Sequence, residues 1–189
     1  MARHEHRGPA VKLLRTIRLD PSDTFVFARA AEPGEWAVSG AFMFWNGENA
    51  ALEGKQLAAF RSGFLGIESF GWSTLVQIVE ASPDMRRAAV ETLAARLATH
   101  LGAPSHQAAL AAAEEELDFA SSLCTHPVDT LIAVHRRQEH GEVREAFRSL
   151  RAKPGEGRSL RALSFLVEED EVPLEEPVDL MALAREHRK

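Results

Sequence analysis

The chain has 189 residues, of which 45% are apolar and 26% are charged, so it is long enough to bury a core without disulfide or metal support. Its single cysteine excludes an internal disulfide, and its net charge of −6 disfavours a general nucleic-acid-binding protein. The start of the chain has no signal-like apolar region, and no apolar run approaches the roughly 20 residues that cross a bilayer, so we expect a cytoplasmic protein without a membrane partner.

The first third of the chain has the patterning of β-structure. Alternation over Leu13–Leu19 predicts a strand, which Asp20-Pro21 ends. The segment Phe25–Phe27 is rich in β-forming residues and predicts a second short strand. After a turn at Ala31–Glu35, apolar residues recur at period two over Trp36–Phe44, which predicts a hairpin.

The middle of the chain alternates between helical and extended patterns. Helical spacing of apolar residues predicts a short helix over Lys55–Phe64, and the β-branched run Thr74–Val79 predicts a central strand. Between them lies a glycine-rich segment with three aromatic residues, Gly63–Trp72, which is most simply interpreted as a tight bend. Two long helices follow, predicted over Ser82–Leu101, with a serine cap and proline at the first position, and from Pro104 to about Leu123.

The last third predicts one strand, one helix and a further strand before an acidic end. The strand covers Thr130–His135, a short basic helix is predicted over Gly141–Arg151, and alternation over Leu160–Val167 predicts the last strand. From Glu168 to Asp179 the chain carries seven carboxylates and no lysine or arginine, which is typical of a solvated tail.

This order of elements predicts an α+β fold with a mixed or mainly antiparallel sheet of about five to six strands and three to four packed helices. A doubly wound parallel sheet is the alternative. We expect a flexible N-terminus over residues 1–11, a single α+β domain over 12–167 and an acidic C-terminal tail over 168–189.

One group of residues could line a ligand pocket or carry chemistry. A thiol at Cys124 next to an imidazole at His126 could act as nucleophile and base, although free cysteine is usually a buried structural residue. His135 and Arg136 follow at a predicted strand end, where they could bind an anion. Local structural roles are the competing interpretation for all four residues. The spacing of histidines and the lone cysteine predicts no metal site, and no motif predicts a cofactor.

A second group could form a contact surface for another protein. Phe64, Phe70 and Trp72 would mark a partner site if they were exposed, because contiguous exposed aromatic residues are uncommon on isolated proteins. Arg144 and Arg148 on the predicted basic helix would add charge to that surface. If the aromatic side chains are buried, they are core residues at a bend.

Four stretches of the sequence resemble an uncharacterised family of alphaproteobacterial proteins. They are Thr16–Phe27, Ala31–Gly40, Gly63–Ala81 and Thr130–Arg136, and the resemblance covers about residues 12–152. It implies a bacterial cytoplasmic protein without an assigned activity, and an association with operons for cofactor-dependent redox enzymes and their maturation. It implies no catalytic residues.

The sequence therefore favours a non-catalytic accessory or protein-binding factor, for example one that acts in the assembly or maturation of a cofactor-dependent redox enzyme. Its partner would be another protein or a second copy of the chain. The alternative is a small-molecule-binding protein or enzyme whose pocket holds His135, Arg136 and Cys124. A third interpretation is a structural subunit of a homo-oligomer.

Overall fold

The structure is a computed structural model that describes residues 10–45, 48–152 and 165–170. Residues 1–9 and 171–189, which hold most of the predicted flexible N-terminus and of the predicted acidic C-terminal tail, lie outside the described residues, as does Asn46-Gly47. In chain order the elements are β1 (Val11–Ile17), α1 (Ser22–Val26), β2 (Trp36–Val38), α2 (Gly54–Ser62), β3 (Phe64–Gly66), β4 (Trp72–Ser73), β5 (Leu75–Ala81), α3 (Pro83–Leu101), α4 (His106–Ser122), β6 (Leu131–Glu139), β7 (Glu142–Ala152) and β8 (Phe165–Asp170). Two 3-10 turns, Ala41–Phe44 and Glu48–Ala51, precede α2.

The strands form one sheet in the order β4-β3-β2-β1-β5-β6-β7-β8, and each neighbouring pair is antiparallel. The predicted α+β class with an antiparallel sheet is therefore confirmed. The predicted number of strands is too low, because the sheet has seven strands from β1 to β7 and β8 adds another beside β7. The difference arises from segments whose sequence predicted a bend or a helix.

The centre of the sheet is the pairing of β1 with β5, which runs over seven residues from Val11↔Ala81 to Ile17↔Leu75. Leu14 and Ile78 lie opposite each other in this register, and both are fully buried. The predicted central strand at β5 is thus confirmed, since it lies between β1 and β6.

Helix α3 begins and ends as predicted, and α4 begins at His106, slightly after the predicted start at Pro104, because each helix starts at a serine cap. The side-chain oxygen of Ser82 accepts a hydrogen bond from the backbone N–H of Met85, and Ser105 does the same for Ala108. At the end of α3, Gly102 adopts a left-handed conformation with φ of 64°. The two helices pack against each other, and α4 packs on β1 and β2.

The basic helix predicted over Gly141–Arg151 is wrong, because this segment is strand β7. His140 and Gly141 have φ values of 53° and 86°, the conformation of a two-residue turn that joins antiparallel strands with the right twist. The turn sets a register from Glu139↔Glu142 to Leu131↔Leu150. This long pairing with β6 outweighs the helical spacing of the apolar residues in the segment.

Two predictions near the start of the chain are also wrong in part. Phe25–Phe27 is not a strand, since Ser22–Val26 forms α1 after Asp20 accepts a hydrogen bond from the Ser22 backbone N–H. The predicted hairpin strand over Trp36–Phe44 ends at Val38, because Gly40 turns the chain with φ of 78° into a 3-10 turn.

Candidate functional site

The hairpin formed by β6 and β7 has two chemically different faces. Arg136 and Glu145 are register partners, so their side chains lie on the same side of the sheet, and both are buried. The other side carries exposed basic residues. We call this second surface the basic hairpin face, and it consists of His135, Arg137, Arg144 and Arg148.

On the buried side, the Arg136 guanidinium forms an ion pair with Glu145. The Nε–Oε1 distance is 2.6 Å, and the exposed fractions of the two side chains are 0% and 5%. Burial lowers the pKa of Arg136, an effect that the neighbouring Glu145 opposes. Ser39 donates its hydroxyl to the same carboxylate oxygen at 2.5 Å. The Glu145 carboxylate oxygen therefore accepts hydrogen bonds from both Arg136 and Ser39.

The same guanidinium also binds the end of helix α2. Its NH1 group donates to the carbonyl oxygens of Phe60 and Gly63 at 3.1 and 2.7 Å, and its NH2 group donates to the carbonyl of Ser39. The last carbonyls of a helix lack partners within the helix and attract cations. Arg136 thus joins β6, β7 and α2 and has a structural role.

A second carboxylate, Glu116 on helix α4, interacts with both charges of this ion pair. We call Arg136, Glu145 and Glu116 the internal charge cluster. Burial raises the pKa of Glu116 to about 8, and the negative charge of Glu145 adds to the effect while Arg136 opposes it. One guanidinium therefore neutralises Glu145, and Glu116 is the member of the cluster that retains a proton near neutral pH. This titratable group has no signal in the sequence, where it belongs to a run of three glutamates on α4.

The residues predicted to share a ligand pocket are not brought together. His135 is exposed on the basic hairpin face, whereas Arg136 points to the opposite side of the sheet. Cys124 is buried, its thiol donates to the carbonyl of Ala120 at 3.3 Å, and burial raises its pKa to about 12. A thiol in this state is a poor nucleophile. The geometry gives no support to joint chemistry by these residues.

A shallow cleft does lie near His126, at the end of α4. The space between its walls is about 320 Å³, which includes open solvent. Ser149 in the wall is buried, and its hydroxyl has no hydrogen-bond partner among the described residues. The cleft is lined by Ser122, Leu123, Thr125, His126, Ile132, Phe147, Arg148 and Ser149. Cys124, His135 and Arg136 do not line it.

The aromatic residues of the glycine-rich segment point into the protein. Phe64 is fully buried, Phe70 stacks on His100 with ring centroids 4.6 Å apart, and half-buried Trp72 stacks on Phe44 at 5.3 Å. Phe64 therefore cannot form part of a contact surface in this structure, and the segment is best described as a packed β3–β4 hairpin.

The turn of that hairpin is held by a buried carboxylate that the sequence did not single out. Glu35 is 4% exposed and accepts hydrogen bonds from the backbone N–H groups of Glu32, Glu68 and Ser69 and from the Ser69 hydroxyl. The absence of a side chain at Gly66 leaves room for this carboxylate, because a Cβ there would lie 2.5 Å from Glu35 Cδ. Glu35 is therefore structural.

On the basic hairpin face, all four residues are exposed. Arg137 and Arg144 are register partners, and each is paired with a glutamate near the turn, Arg137 with Glu139 at 2.7 Å and Arg144 with Glu142 at 3.3 Å. Because these pairs are exposed, each is worth at most about 1 kcal/mol. The two glutamates therefore hold these guanidinium groups only weakly.

The largest exposed apolar side chains lie elsewhere and were also missed. Phe25 is 72% exposed and Trp45 is 57% exposed. Phe25 lies two residues before Phe27, and Trp45 directly follows Phe44; Phe27 and Phe44 belong to a small buried cluster. The sequence had predicted a strand over Phe25–Phe27 from its β-forming residues, and a period-two strand that ended at Phe44, just before Trp45.

The described residues contain no group of three or more His, Cys, Asp or Glu side chains suited to holding a metal ion. Among the described helices, none has both the length and the apolar character needed to span a membrane.

Fold and site together define an α+β protein with an antiparallel sheet, an internal charge cluster and a basic strand face. A model of a family of unknown function, DUF6505, matches residues 11–164, and the chain belongs to that family. The comparisons with curated proteins and with solved structures gave no match.

Proposed function

We propose that this protein is a non-catalytic accessory factor that binds an acidic segment of another protein through the basic hairpin face. The observation that carries the proposal is the exposure of four basic side chains on one side of β6 and β7. Carboxylates are the natural counterions of such a surface, and arginine binds them through two parallel hydrogen bonds.

The arrangement of Arg137 opposite Arg144 supports a binding role, because stability does not explain it. Like charges directly opposite each other on neighbouring strands are destabilising. The two nearby glutamates compensate for only part of this repulsion, since exposed ion pairs contribute little. A partner carboxylate placed between the two guanidinium groups would relieve the rest.

A protein partner fits this surface better than a nucleic acid does. The whole chain has a net charge of −6, and Glu139 and Glu142 near the turn are paired with two of the arginines of the face. Extended phosphate backbones bind through many simultaneous lysine and arginine contacts. A short acidic peptide segment needs only a few such contacts, and the basic hairpin face can supply them.

Two of the residues that the sequence offered for chemistry are occupied by structural contacts. The thiol of Cys124 is buried with a raised pKa, and the guanidinium of Arg136 is occupied by Glu145 and by carbonyl groups. The identity of the partner as a cofactor-dependent redox enzyme undergoing assembly or maturation in a bacterial cytoplasm is what the resemblance described above implies.

The proposal is tested by capturing partners with the tagged full-length chain and quantifying them by mass spectrometry. The charge-reversed variant Arg144→Glu/Arg148→Glu is compared with the natural chain. The matched control is Arg61→Glu/Arg87→Glu, which reverses two exposed arginines on helices α2 and α3. We expect a partner that is lost with the first variant and retained with the control.

Recovery of equal amounts of every captured protein with both variants would contradict the proposal. If the captured partner is a second copy of the chain, light scattering of the two purified variants distinguishes self-association from binding to another protein. Self-association through this face predicts a lower molar mass for Arg144→Glu/Arg148→Glu and an unchanged molar mass for the control.

A further inference from the structure

The basic hairpin face lies next to the point where the chain enters its own acidic end. Strand β8 pairs with β7 in the register Ala152↔Phe165 to Phe147↔Asp170, with Arg148 opposite Glu169. Because the pair is antiparallel, β8 runs towards the turn of the β6–β7 hairpin. The last residue of β8, Asp170, is therefore paired with Phe147, which lies three residues from Arg144 along β7.

The residues that follow β8 are complementary in charge to this face. Residues 171–179 contain four carboxylates, Glu171, Glu175, Glu176 and Asp179, and no lysine or arginine. A further ten residues follow to the end of the chain. The carboxylates are thus attached within reach of the guanidinium groups on β6 and β7.

We propose that residues 171–179 bind the basic hairpin face of the same molecule and thereby compete with the acidic partner segment. The inference rests on the proposed function, because it names an internal competitor for that same surface. Proximity to β8 gives the attached segment an effective concentration in the millimolar range, far above that of a free partner.

Competition of this kind sets a threshold for partner binding. A partner segment must bind with more carboxylates, or at higher concentration, than the attached segment to displace it. Salt weakens both interactions, since exposed charges are screened beyond about 8–10 Å at physiological ionic strength.

The test uses the full-length chain and a fluorescent peptide with the sequence of residues 168–179, whose binding is followed by anisotropy at low salt. The variant Glu171→Gln/Glu175→Gln/Glu176→Gln/Asp179→Asn removes the competing carboxylates. We expect it to bind the peptide about 3- to 10-fold more tightly than the natural chain. The gain is modest because the effective concentration of the attached segment is only a few times larger than the dissociation constant of a short acidic segment.

The control removes four exposed carboxylates elsewhere and so produces the same change in net charge. It is Glu80→Gln/Glu91→Gln/Glu114→Gln/Glu115→Gln. We expect this variant to bind the peptide as the natural chain does. Equal tightening in both variants would overturn the inference, because net charge alone would then account for the effect.

The remaining outcomes separate the inference from the proposed function. If the peptide binds the natural chain and the neutralised variant equally, and Arg144→Glu/Arg148→Glu abolishes binding, the surface binds acidic segments and the internal competition is refuted. If no variant binds the peptide at millimolar concentration, the basic hairpin face does not accept acidic segments, and both proposals fail.

Discussion

At the scale of single residues, Arg136 explains why the β6–β7 hairpin is fixed to the rest of the protein. A buried guanidinium is costly unless its donors are satisfied. Here they reach one carboxylate and several carbonyls at the end of α2. The neighbouring Arg137 is exposed and lies on the other side of the strand, so two adjacent arginines have opposite roles.

We predict that Arg136→Met destabilises the protein by about 3–5 kcal/mol, because Glu145 would be left buried without its cation. Urea unfolding of the full-length chain measures the loss. The control Arg137→Met should change stability by less than about 0.5 kcal/mol, as is usual for exposed positions. Similar costs for both substitutions would contradict the structural role of Arg136.

We also predict that Cys124 resists alkylation by iodoacetamide in the native protein at about pH 8. Its pKa of about 12, raised by burial, leaves almost no thiolate at that pH. Mass spectrometry should find complete labelling after unfolding in guanidinium and little before it. Rapid labelling of the native chain would show that the thiol is accessible and reactive.

At the scale of elements, the glycine-rich segment shows how a backbone requirement produces a conspicuous sequence. The β3–β4 hairpin brings Gly71 against the chain at Ala30, where a Cβ atom would lie 2.5 Å from the carbonyl oxygen. Backbone atoms cannot move aside as a flexible side chain can. The glycines of the segment therefore reflect close packing.

Gly71→Ala should consequently destabilise the protein by about 1–3 kcal/mol through overpacking. Thermal or urea unfolding gives the value. Glu68→Ala in the same turn changes an exposed side chain and should have little effect. If the two substitutions behaved alike, the close approach at Ala30 would not be a real constraint.

Much of the fold could be predicted where local signals and tertiary packing agree. The cap at Ser82 and the proline after it define the start of α3 in the sequence as they do in the structure, whereas the Ser105 cap of α4 became evident only in the structure. The prediction failed at β7, where apolar spacing compatible with a helix competes with pairing to β6. The turn His140-Gly141 was the available signal, since histidine and glycine both tolerate positive φ.

The candidate site was predictable only in part, because burial decides the role of each residue. Arg144 and Arg148 are exposed as a contact surface requires, but on a strand and without the aromatic residues that were grouped with them. Phe64 and Arg136 occupy positions whose burial depends on long-range packing. No local pattern distinguishes Arg136 from Arg137 until the register of β6 and β7 is known.

At the scale of the whole molecule, the internal charge cluster links stability to pH. Glu116 has an ordinary pKa of 4.5 when exposed and a pKa of about 8 in the folded protein. Between these values the folded state binds more protons than the unfolded state does. Stability therefore falls as pH rises from about 4.5 to about 8, and this contribution is fully present only below that interval.

Glu116→Gln should remove this dependence, because the amide cannot ionise. At about pH 8.5 the variant should be more stable than the natural chain by on the order of 1–3 kcal/mol, and at about pH 5 the two should be similar. Urea unfolding at both pH values measures the difference. Glu115→Gln, at an exposed position on the same helix, is the control. A variant that retains the natural pH dependence would contradict the assignment.

The order of strands also has a kinetic consequence. The sheet consists of two meanders, β1 to β4 and β5 to β8, in which neighbours are consecutive in the chain, and the pairing of β1 with β5 is the one join between them. The β6–β7 hairpin forms through a two-residue turn. The β1–β5 join, like the β5–β6 pairing across α3 and α4, must first close a long stretch of chain. We expect Ile78→Val at the join to slow refolding in stopped-flow measurements with little change in the unfolding rate, as is typical of a contact that forms in the rate-limiting step. A variant that mainly unfolds faster would contradict this order of events. Pairing of the two halves of the sheet through β1 and β5 would then be the rate-limiting step of folding.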